Sequence, residues 1–359
     1  MKIAILGDVH IGMRNDAEVF HEALATFFET VFFPRLKDDG VDTIIQVGDL
    51  FDRRKYINFE SLAKSRTYFF DPLREAGLTM HVLVGNHDMF WKETTRVNSP
   101  DLLLKGYENI RVISTPQTVN FDETPLCLIP WLCDENTTAC LQEMRDTRAE
   151  MCIGHFEIQG FKVTSTMTQP TGIDRALFQK FDLTLSGHFH VVSKESNIIY
   201  VGTPVEQTWN DFEDPKGFHI LDTATRGLTY VSNPVKIFHR LVYDDLAQDY
   251  TYWMNMDLSR YRHTYLKVVV VNKTNTHLFD TVMGRLYRAD VADMTIVEDT
   301  MERAMSTLDD SALVSQAEDT MTFISRQIDG LTLPLDANRL KGVVKEIYVE
   351  ALNRETLTA

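Results

Sequence analysis

Five short segments of this chain carry side chains that bind hard metal ions, and each segment lies just after an apolar run. Their donors are carboxylates, one amide and several imidazoles. The segments are Gly7-Asp8-Val9-His10, Gly48-Asp49-Leu50-Phe51-Asp52, Gly85-Asn86-His87-Asp88, Gly154-His155 and Gly187-His188-Phe189-His190. This donor set is sufficient for two adjacent divalent ions. Two ions about 3.5–4 Å apart can activate a water molecule and stabilise the leaving oxygen in phosphoester hydrolysis.

The spacing within the segments supports a shared site. Asp8 and His10 are two residues apart, and so are His188 and His190. Residues two apart in an extended segment point to the same side, so each pair is expected to converge on one ion. One such pair alone is a weak signal because short patterns arise often by chance. All five segments together, in one chain, indicate a single metal centre.

The apolar runs indicate how these side chains are positioned. They lie at residues 2–6, 43–47, 80–84, 151–153 and 182–185. Short continuous runs rich in Val, Ile and Leu are typical of strands that are buried on both faces. A glycine follows each run, directly or after one residue, and permits a sharp turn and close backbone approach. We therefore expect the ligands on loops beyond the carboxyl ends of strands, where open α/β sheets usually bind ligands.

The first 240 residues are predicted to form one α/β domain. Residues 16–37 and 59–76 have helical periodicity, with Asp16 as the expected cap of the first helix and Gly77 ending the second. Strand–helix–strand alternation implies right-handed crossovers and a largely parallel layer. Later strands follow one another closely, at residues 126–129, 151–153, 183–185, 198–201 and 218–221. The predicted architecture is a four-layer αββα sandwich, with two sheets face to face and helices outside.

The remaining chain is predicted to add two smaller parts. Residues 241–300 contain a strand at 265–271, a helix at 276–290 and a strand at 293–297, which indicate a small α/β capping domain. Residues 301–359 have two stretches of helical spacing, separated by a segment that contains Pro334. An amphipathic terminal helix either packs on its own domain or docks into a partner. The residues alone favour packing on its own domain.

Composition is that of a soluble globular protein. The chain has 359 residues, of which 44% are hydrophobic and 25% charged. No apolar run approaches the roughly 18 residues of a membrane span, and no signal peptide is recognisable. The four cysteines form no C-x-x-C pair and are expected to be buried, reduced thiols. We therefore expect a cytoplasmic protein.

The charge of the chain bears on its partners. A net charge of −16 argues against non-specific nucleic-acid binding. Two divalent ions would nevertheless bring four positive charges against two negative ones from Asp8 and Asp49, which makes the occupied site locally positive. Basic residues near the metal loops are either solvated charges or phosphate contacts; they are Arg14, Arg53, Arg54 and Lys55.

Further histidines and tryptophans are expected to be structural. The histidines outside the five segments are predicted to be ordinary surface or hydrogen-bonded residues; they are His21, His81, His219, His239, His263 and His277. The tryptophans are predicted to belong to the core rather than to stack on bases; they are Trp91, Trp131, Trp209 and Trp253.

The order of the motifs resembles the calcineurin-like metallophosphoesterase superfamily, and most closely the SbcD-type DNA repair nuclease subunits, which include the recombination endonuclease subunits of T4-like bacteriophages. The matching segments are D-V-H-I-G at 8–12, G-D-L-F-D at 48–52, G-N-H-D at 85–88, G-T-P at 202–204 and K-G-F at 216–218. The similarity covers residues 1–221; beyond them only the arrangement is similar. Asp52-Arg53 is also similar to the G-D-x-x-D-R-G of protein Ser/Thr phosphatases, but Arg54 stands where those enzymes have glycine.

The resemblance implies a role for each matched residue. Asp8, His10 and His190 would hold one metal ion. Asn86, His155 and His188 would hold the other, and Asp49 would bridge the two. His87 would be catalytic, protonating the leaving oxygen or stabilising the transition state. Asp52 is expected to support its loop rather than to bind metal, and Asp88 to orient His87 or cap the next segment.

The resemblance also implies the activity and the partners. The implied activity is that of a Mn²⁺-dependent 3′–5′ exonuclease and endonuclease, which acts on DNA in a recombination and double-strand-break repair complex. The implied oligomeric state is a homodimer. The implied partner is an SMC-like ATPase, bound through the C-terminal helices. Mixed oxygen and nitrogen ligands without thiolate suit Mn²⁺, Fe or Zn²⁺. Two alternatives remain open: a small-molecule phosphoesterase or cyclic-nucleotide phosphodiesterase on the same scaffold, and a non-catalytic scaffold subunit that binds DNA ends.

Overall fold

The apolar runs form neighbouring strands in two six-stranded sheets. The computed structural model describes residues 1–162 and 168–298. In chain order the strands are β1 Lys2–Leu6, β2 Thr43–Gln46, β3 Thr79–Leu83, β4 Met89–Trp91, β5 Thr94–Asn98, β6 Ile110–Ile113, β7 Gln117–Phe121, β8 Thr124–Ile129, β9 Met151–His155, β10 Leu183–Gly187, β11 Ser193–Glu195, β12 Ile198–Tyr200, β13 Gly217–Asp222, β14 Gly227–Ser232, β15 Phe238–Asp244, β16 Tyr265–Asn272 and β17 Asp293–Glu298. The first sheet has the order β14-β13-β1-β2-β3-β6, and the second has the order β11-β12-β10-β9-β8-β7.

The strands that lead into the metal-binding segments are parallel within each sheet. In the first sheet β1, β2, β3 and β6 are parallel, and β13 pairs antiparallel with β1. In the second sheet β8, β9, β10 and β12 are parallel. The carboxyl ends of parallel strands meet at one edge of a sheet, so each sheet collects its motif loops at a single edge. The predicted parallel layer is therefore confirmed.

Three apolar layers show how the sheets and helices are stacked. One lies between the first sheet and its helices and is rich in phenylalanine, including Phe27, Phe28 and Phe69. A second joins the two sheets, and a third lies between the second sheet and the helix Thr137–Asp146. These layers confirm the predicted α/β sandwich, because each layer buries one face of a sheet against the next element.

Two histidines of the first sheet differ from expectation. His81 on β3 and His219 on β13 are buried, and the Nδ1 atom of each lacks a hydrogen-bond partner. They are therefore neither surface residues nor fully hydrogen-bonded ones. Burial lowers the pKa of each imidazole to about 4, assisted at His81 by the charge of Arg111.

The two long helices of the first domain lie close to their predicted positions. The first consists of Glu18–Phe27, the π-helical turn Phe28–Phe32 and Phe33–Asp39. The second consists of Phe59–Ser65, the π-helical turn Arg66–Phe70 and Asp71–Glu75, and the chain leaves it at Gly77 with a φ of 68°. Shorter helices span Ser99–Leu103, Thr137–Asp146 and Tyr250–Asn255, with 3₁₀ turns at Arg175–Phe178, Trp209–Asp211 and Ser259–Tyr261.

The predicted cap of the first helix is wrong. Ala17 occupies the N-cap position, without a side-chain hydrogen bond. Asp16 belongs to the preceding left-handed turn with a φ of 60°. Its carboxylate instead accepts hydrogen bonds from Arg53 at 2.7 Å and Ser61 at 2.6 Å.

A third sheet follows the sandwich. The parallel strands β15, β16 and β17 carry the helix Thr276–Tyr287, which packs on them through its own apolar cluster. This matches the strand–helix–strand pattern predicted for residues 265–297. The predicted tail, residues 301–359, lies outside the described residues. Within the described ranges, no helix is long and apolar enough to cross a membrane, and all four cysteines are buried and free.

Candidate metal centre

The motif loops bring their donors together in two groups, and a third group links them. In each group the possible ligand atoms lie within 4.8 Å of one another. The first group is Asp8, His10 and His190, the second is Asp49, His155 and His188, and the linking group is His10, Asp49 and His87. Asp49 lies between the first and second groups, because its Oδ2 atom is 3.3 Å from His155 Nε2 and 3.8 Å from His10 Nε2. The arrangement places one carboxylate where it can contact two neighbouring ions.

Asn86 joins the second group. Its Oδ1 atom lies 2.9 Å from His155 Nε2 and 3.1 Å from His188 Nδ1. An amide oxygen that faces two imidazole nitrogens at these distances is well placed to complete the ligand set of one cation. With Asn86, all seven side chains expected to bind metal lie in one cluster.

One spacing argument does not agree with the structure. His188 and His190 are two residues apart, yet they fall into different groups. His188 has a φ of 88°, so the segment turns instead of continuing in an extended conformation. Its backbone N–H donates to Asp8 Oδ2 at 2.9 Å, which ties this turn to the first motif.

Backbone carbonyls orient two of the imidazoles. His155 Nδ1 is 2.8 Å from Val47 O, and His87 Nδ1 is 2.7 Å from Asp52 O. Since a carbonyl oxygen only accepts, both Nδ1 atoms must donate, and the Nε2 atom of each ring is left for other contacts. For His155 this leaves Nε2 beside Asn86 and Asp49, the arrangement that commonly orients a metal-binding histidine.

Asp52 and Asp88 support the loops. Asp52 Oδ1 lies 3.3 Å from His10 Nδ1. Asp88 is fully buried and accepts from the backbone N–H groups of Gly85 at 2.9 Å and Phe51 at 3.1 Å. It thereby joins the second motif loop to the third, and does not contact His87 through any hydrogen bond of the described residues.

Two glycines permit the close approach of these loops. A Cβ atom on Gly85 would lie 2.2 Å from Asp49 Oδ1, and one on Gly187 would lie 2.6 Å from Asp8 Oδ1. Real Cβ atoms do not reach such distances, so any side chain at either position would displace a carboxylate of the centre.

Burial and mutual attraction shift the pKa values of the cluster strongly. Burial raises the pKa of Asp8 to about 7. Burial opposes protonation of His10 and His155, but the neighbouring carboxylates outweigh it and raise both pKa values to about 9. The pKa of Asp49 lies well below its usual value, because the attraction of His155 and His87 outweighs burial. Burial lowers the pKa of His87.

These observations fit divalent cations. Carboxylates that draw protons onto buried imidazoles form a site in which a cation can replace those protons. The Nε2 atom of His10 is buried without a hydrogen-bond partner, which is costly unless it binds something else. The donors are carboxylate and amide oxygens with imidazole nitrogens, a set that suits first-row divalent ions.

Several supporting residues were missed by sequence reasoning. Lys216 is 1% exposed; its Nζ atom donates to His190 O at 3.0 Å and to Asp211 Oδ1 at 2.5 Å. Glu157 Oε2 lies 3.8 Å from His188 Nε2. Glu157 could have been found from its spacing, because it stands two residues after His155. Lys216 belongs to the matching segment K-G-F at 216–218, but nothing in the sequence linked it to His190, which lies 26 residues before it.

Trp131 was expected to belong to the core, yet it lies against the centre. Its ring centroid is 4.9 Å from that of His188 and 5.7 Å from that of His155. It is partly buried and thus forms one side of the second group of ligands.

Comparison with known proteins identifies a matching family and several similar proteins. The profile of the calcineurin-like phosphoesterase family matches residues 1–192. Exonuclease subunit 1 of Enterobacteria phage T4 is 30% identical over 354 residues, which cover 98% of this chain and 99% of that protein. One of the subunits of the nuclease SbcCD from Staphylococcus saprophyticus is 24% identical over 284 residues, which cover 69% of this chain and 74% of that protein. Among solved structures, an archaeal phosphodiesterase is 12% identical, with a TM-score of 0.34, and covers 65% of this chain and 100% of its own.

Proposed function

The chain belongs to the calcineurin-like phosphoesterase family, and we propose that it is the Mn²⁺-dependent nuclease subunit of a DNA recombination and double-strand-break repair complex. It would act as a 3′–5′ exonuclease and as an endonuclease. The observation that carries the proposal is the convergence of seven metal-binding side chains at one edge of the sandwich. Full-length similarity to an exonuclease subunit supports DNA as the substrate.

Two ions would be held by the residues described above. Asp8, His10 and His190 would bind one, Asn86, His155 and His188 the other, and Asp49 both. When bound, such ions activate water and neutralise charge on phosphoryl oxygens. The protein contributes a rigid frame, since the carbonyl of Val47 and the carboxylate of Asp88 hold the ligand loops in place.

His87 would act on the leaving oxygen. Its Nδ1 atom donates to Asp52 O, so Nε2 is the nitrogen left to face a substrate. Nε2 can deliver a proton only from the charged ring, and burial lowers the pKa of His87. An approaching phosphodiester anion favours the charged form, so substrate binding itself would prepare His87 to protonate the leaving 3′ oxygen.

The activity is tested with purified protein, Mn²⁺ and end-labelled duplex DNA, beside p-nitrophenyl phosphate. Release of nucleotides from DNA supports the proposal. Hydrolysis of p-nitrophenyl phosphate alone would instead support a small-molecule phosphoesterase. Hydrolysis of neither substrate would support a non-catalytic scaffold subunit.

His87 is tested by substitution. His87→Ala should abolish hydrolysis and leave Mn²⁺ binding by calorimetry nearly intact, because the side chain is not one of the proposed ligands. His277→Ala is the matched control, since His277 is exposed on the third sheet's helix. Loss of Mn²⁺ binding together with activity would contradict the assigned role.

An exposed apolar surface supports the proposed homodimer. Tyr56 and Phe59 are 65% and 86% exposed and lie three residues apart, next to the start of the second helix. Exposed apolar side chains that cluster in this way are typical of a protein interface. Phe59→Asp should convert a dimer to a monomer in light scattering, whereas Leu246→Asp, at a 69% exposed site elsewhere, should not. Equal masses for both variants would contradict this interface.

The proposed ATPase partner concerns the tail. The relative from Staphylococcus saprophyticus is named as one subunit of a nuclease, which supports a second subunit here. We propose that residues 301–359 bind an SMC-like ATPase. A chain that ends at Thr300 should keep basal nuclease activity and lose co-purification with the ATPase; retained co-purification would contradict the assignment.

A further inference from the structure

Two consecutive arginines next to the metal centre have different surroundings. Arg53 is held by its own loop region. Its Nη1 atom donates to Asp16 Oδ2 at 2.7 Å, its Nη2 atom donates to Asn15 Oδ1 at 2.9 Å, and the guanidinium lies 4.9 Å from the ring centroid of Tyr56. These three contacts occupy the guanidinium of Arg53 and leave little of it for a ligand.

Arg54 has no comparable partner. Its Nη1 atom is buried and makes no hydrogen bond, and no carboxylate of the described residues forms an ion pair with it. Burial lowers its pKa, against the attraction of Asp49, Glu93 and Asp88. A charged donor left unsatisfied in a partly buried place is costly. Binding an anion would offset the free-energy cost of burying this guanidinium group.

The position of Arg54 points to the substrate as that anion. Arg54 lines a cavity of about 170 Å³ with Ile11 and Phe51. Ile11 follows the proposed ligand His10, and Phe51 precedes Asp52, whose carbonyl holds His87. The cavity is smaller than the ~300–1,000 Å³ of pockets for separate small ligands. It therefore suits one part of a longer substrate that reaches the metal centre.

We propose that Arg54, and not Arg53, binds a backbone phosphate of the DNA one step away from the bond that is cut. This inference rests on the proposed nuclease function and deepens it. A planar guanidinium can donate two parallel hydrogen bonds to a phosphate. In a chain of net charge −16, one correctly placed cation beside the centre supplies attraction that the overall charge does not.

The first test compares Arg54→Gln with the matched Arg53→Gln. With a labelled duplex and Mn²⁺, Arg54→Gln should lower kcat/KM about 10- to 100-fold, mainly through KM, because a charge-assisted contact with the substrate is lost. The slope of log KM against log salt concentration should become shallower by about one, the change expected when one phosphate contact is lost. Arg54→Lys should restore part of the loss. Arg53→Gln should instead lower the melting temperature and keep the salt dependence.

The second test identifies the phosphate. Duplexes are prepared in which the backbone phosphate one step on either side of the cut is a neutral methylphosphonate. At one of the two positions the neutral group should weaken cleavage by the unmodified protein and have no further effect on Arg54→Gln, because both changes remove the same interaction. Additive losses at both positions would overturn the inference, as would an unchanged salt dependence.

Three further outcomes would also decide the matter. If Arg54→Gln lowers the melting temperature as much as Arg53→Gln does, or dissociates a dimer, Arg54 has a structural partner and the inference fails. If the unmodified protein hydrolyses bis(p-nitrophenyl) phosphate but not DNA, the proposed function fails, and this inference with it. If the unmodified protein cleaves DNA, but Arg54→Gln lowers kcat/KM for DNA and for bis(p-nitrophenyl) phosphate by the same factor, only the inference on Arg54 fails.

Discussion

Replacing Lys216 by methionine should be among the most destabilising single changes near the centre. The side chain is fully buried, and its ammonium group pairs with Asp211, which is 5% exposed. Asp211 also accepts from the backbone N–H groups of Gln207 at 3.0 Å and Thr208 at 2.8 Å. Methionine keeps the length and apolar stem of lysine but leaves the carboxylate buried without its cation.

The expected cost follows from that burial. Removing one member of a buried ion pair typically costs ~3–5 kcal/mol, because the remaining charge is uncompensated. The backbone N–H bonds to Asp211 offset part of this, so the lower end, ~3 kcal/mol, is expected. The loss also frees the carbonyl of His190, which Lys216 holds at 3.0 Å. Mn²⁺ binding should therefore weaken as well as stability.

Urea unfolding measures the first effect and calorimetry with Mn²⁺ the second. Lys2→Met is the matched control, because the pair Lys2–Asp39 is 3.4 Å long and its lysine is 45% exposed; such pairs contribute about 0–1 kcal/mol. If Lys216→Met cost no more than Lys2→Met, the carboxylate of Asp211 would not depend on its cation, and the reasoning would be refuted.

Three other outcomes are expected. Gly85→Ala should abolish activity and Mn²⁺ binding, because the new Cβ atom would lie 2.2 Å from Asp49 Oδ1. Gly106→Ala should be neutral, because a Cβ atom there would have no other atom within 4 Å. A fully active Gly85→Ala variant would contradict the tight packing. Chelation should remove activity, and Mn²⁺ should restore it with two ions per chain; a measured value of one would exclude the shared role of Asp49. Stability should be fully present above pH ~6.5 and fall towards pH 4, because His81 and His219 have pKa values lowered to about 4 and only the unfolded chain takes up protons in between. Each histidine accounts for at most ~3 kcal/mol of this loss in unfolding free energy. His219→Phe should reduce the loss of stability between pH 6.5 and pH 4, measured by urea unfolding at a series of pH values. An unchanged loss would show that His219 is not the cause.

The strands and long helices were predictable because their signals are local. The apolar runs at residues 43–47 and 80–84 became β2 and β3, within one residue of their predicted limits. The helix predicted for residues 59–76 ends one residue early, at Glu75, before Gly77. Burial on both faces and a glycine stop signal depend only on nearby residues, so the sequence suffices to find them.

Roles that depend on distant partners were not predictable. Asp16 has the right type and place for a helix cap, yet Arg53 from the second motif loop and Ser61 from the second helix donate to its carboxylate instead. His81 and His219 look ordinary in the sequence and are buried only because a second sheet covers the first. In each case the deciding contact comes from residues that are tens to hundreds of positions away.

The sequence by itself determined which side chains could bind metal and that each lies near the carboxyl end of a strand, because donor chemistry and strand patterning are properties of short segments. The expected loop position is wrong for His155, which is the last residue of β9. Only the tertiary structure decided how these donors are shared. The left-handed turn at His188 separates it from His190, and the packing of two sheets brings Asp49 between both groups. The physical reason is that binding a cation requires donors within a few ångströms, and the pairing of strands from different parts of the chain sets those distances.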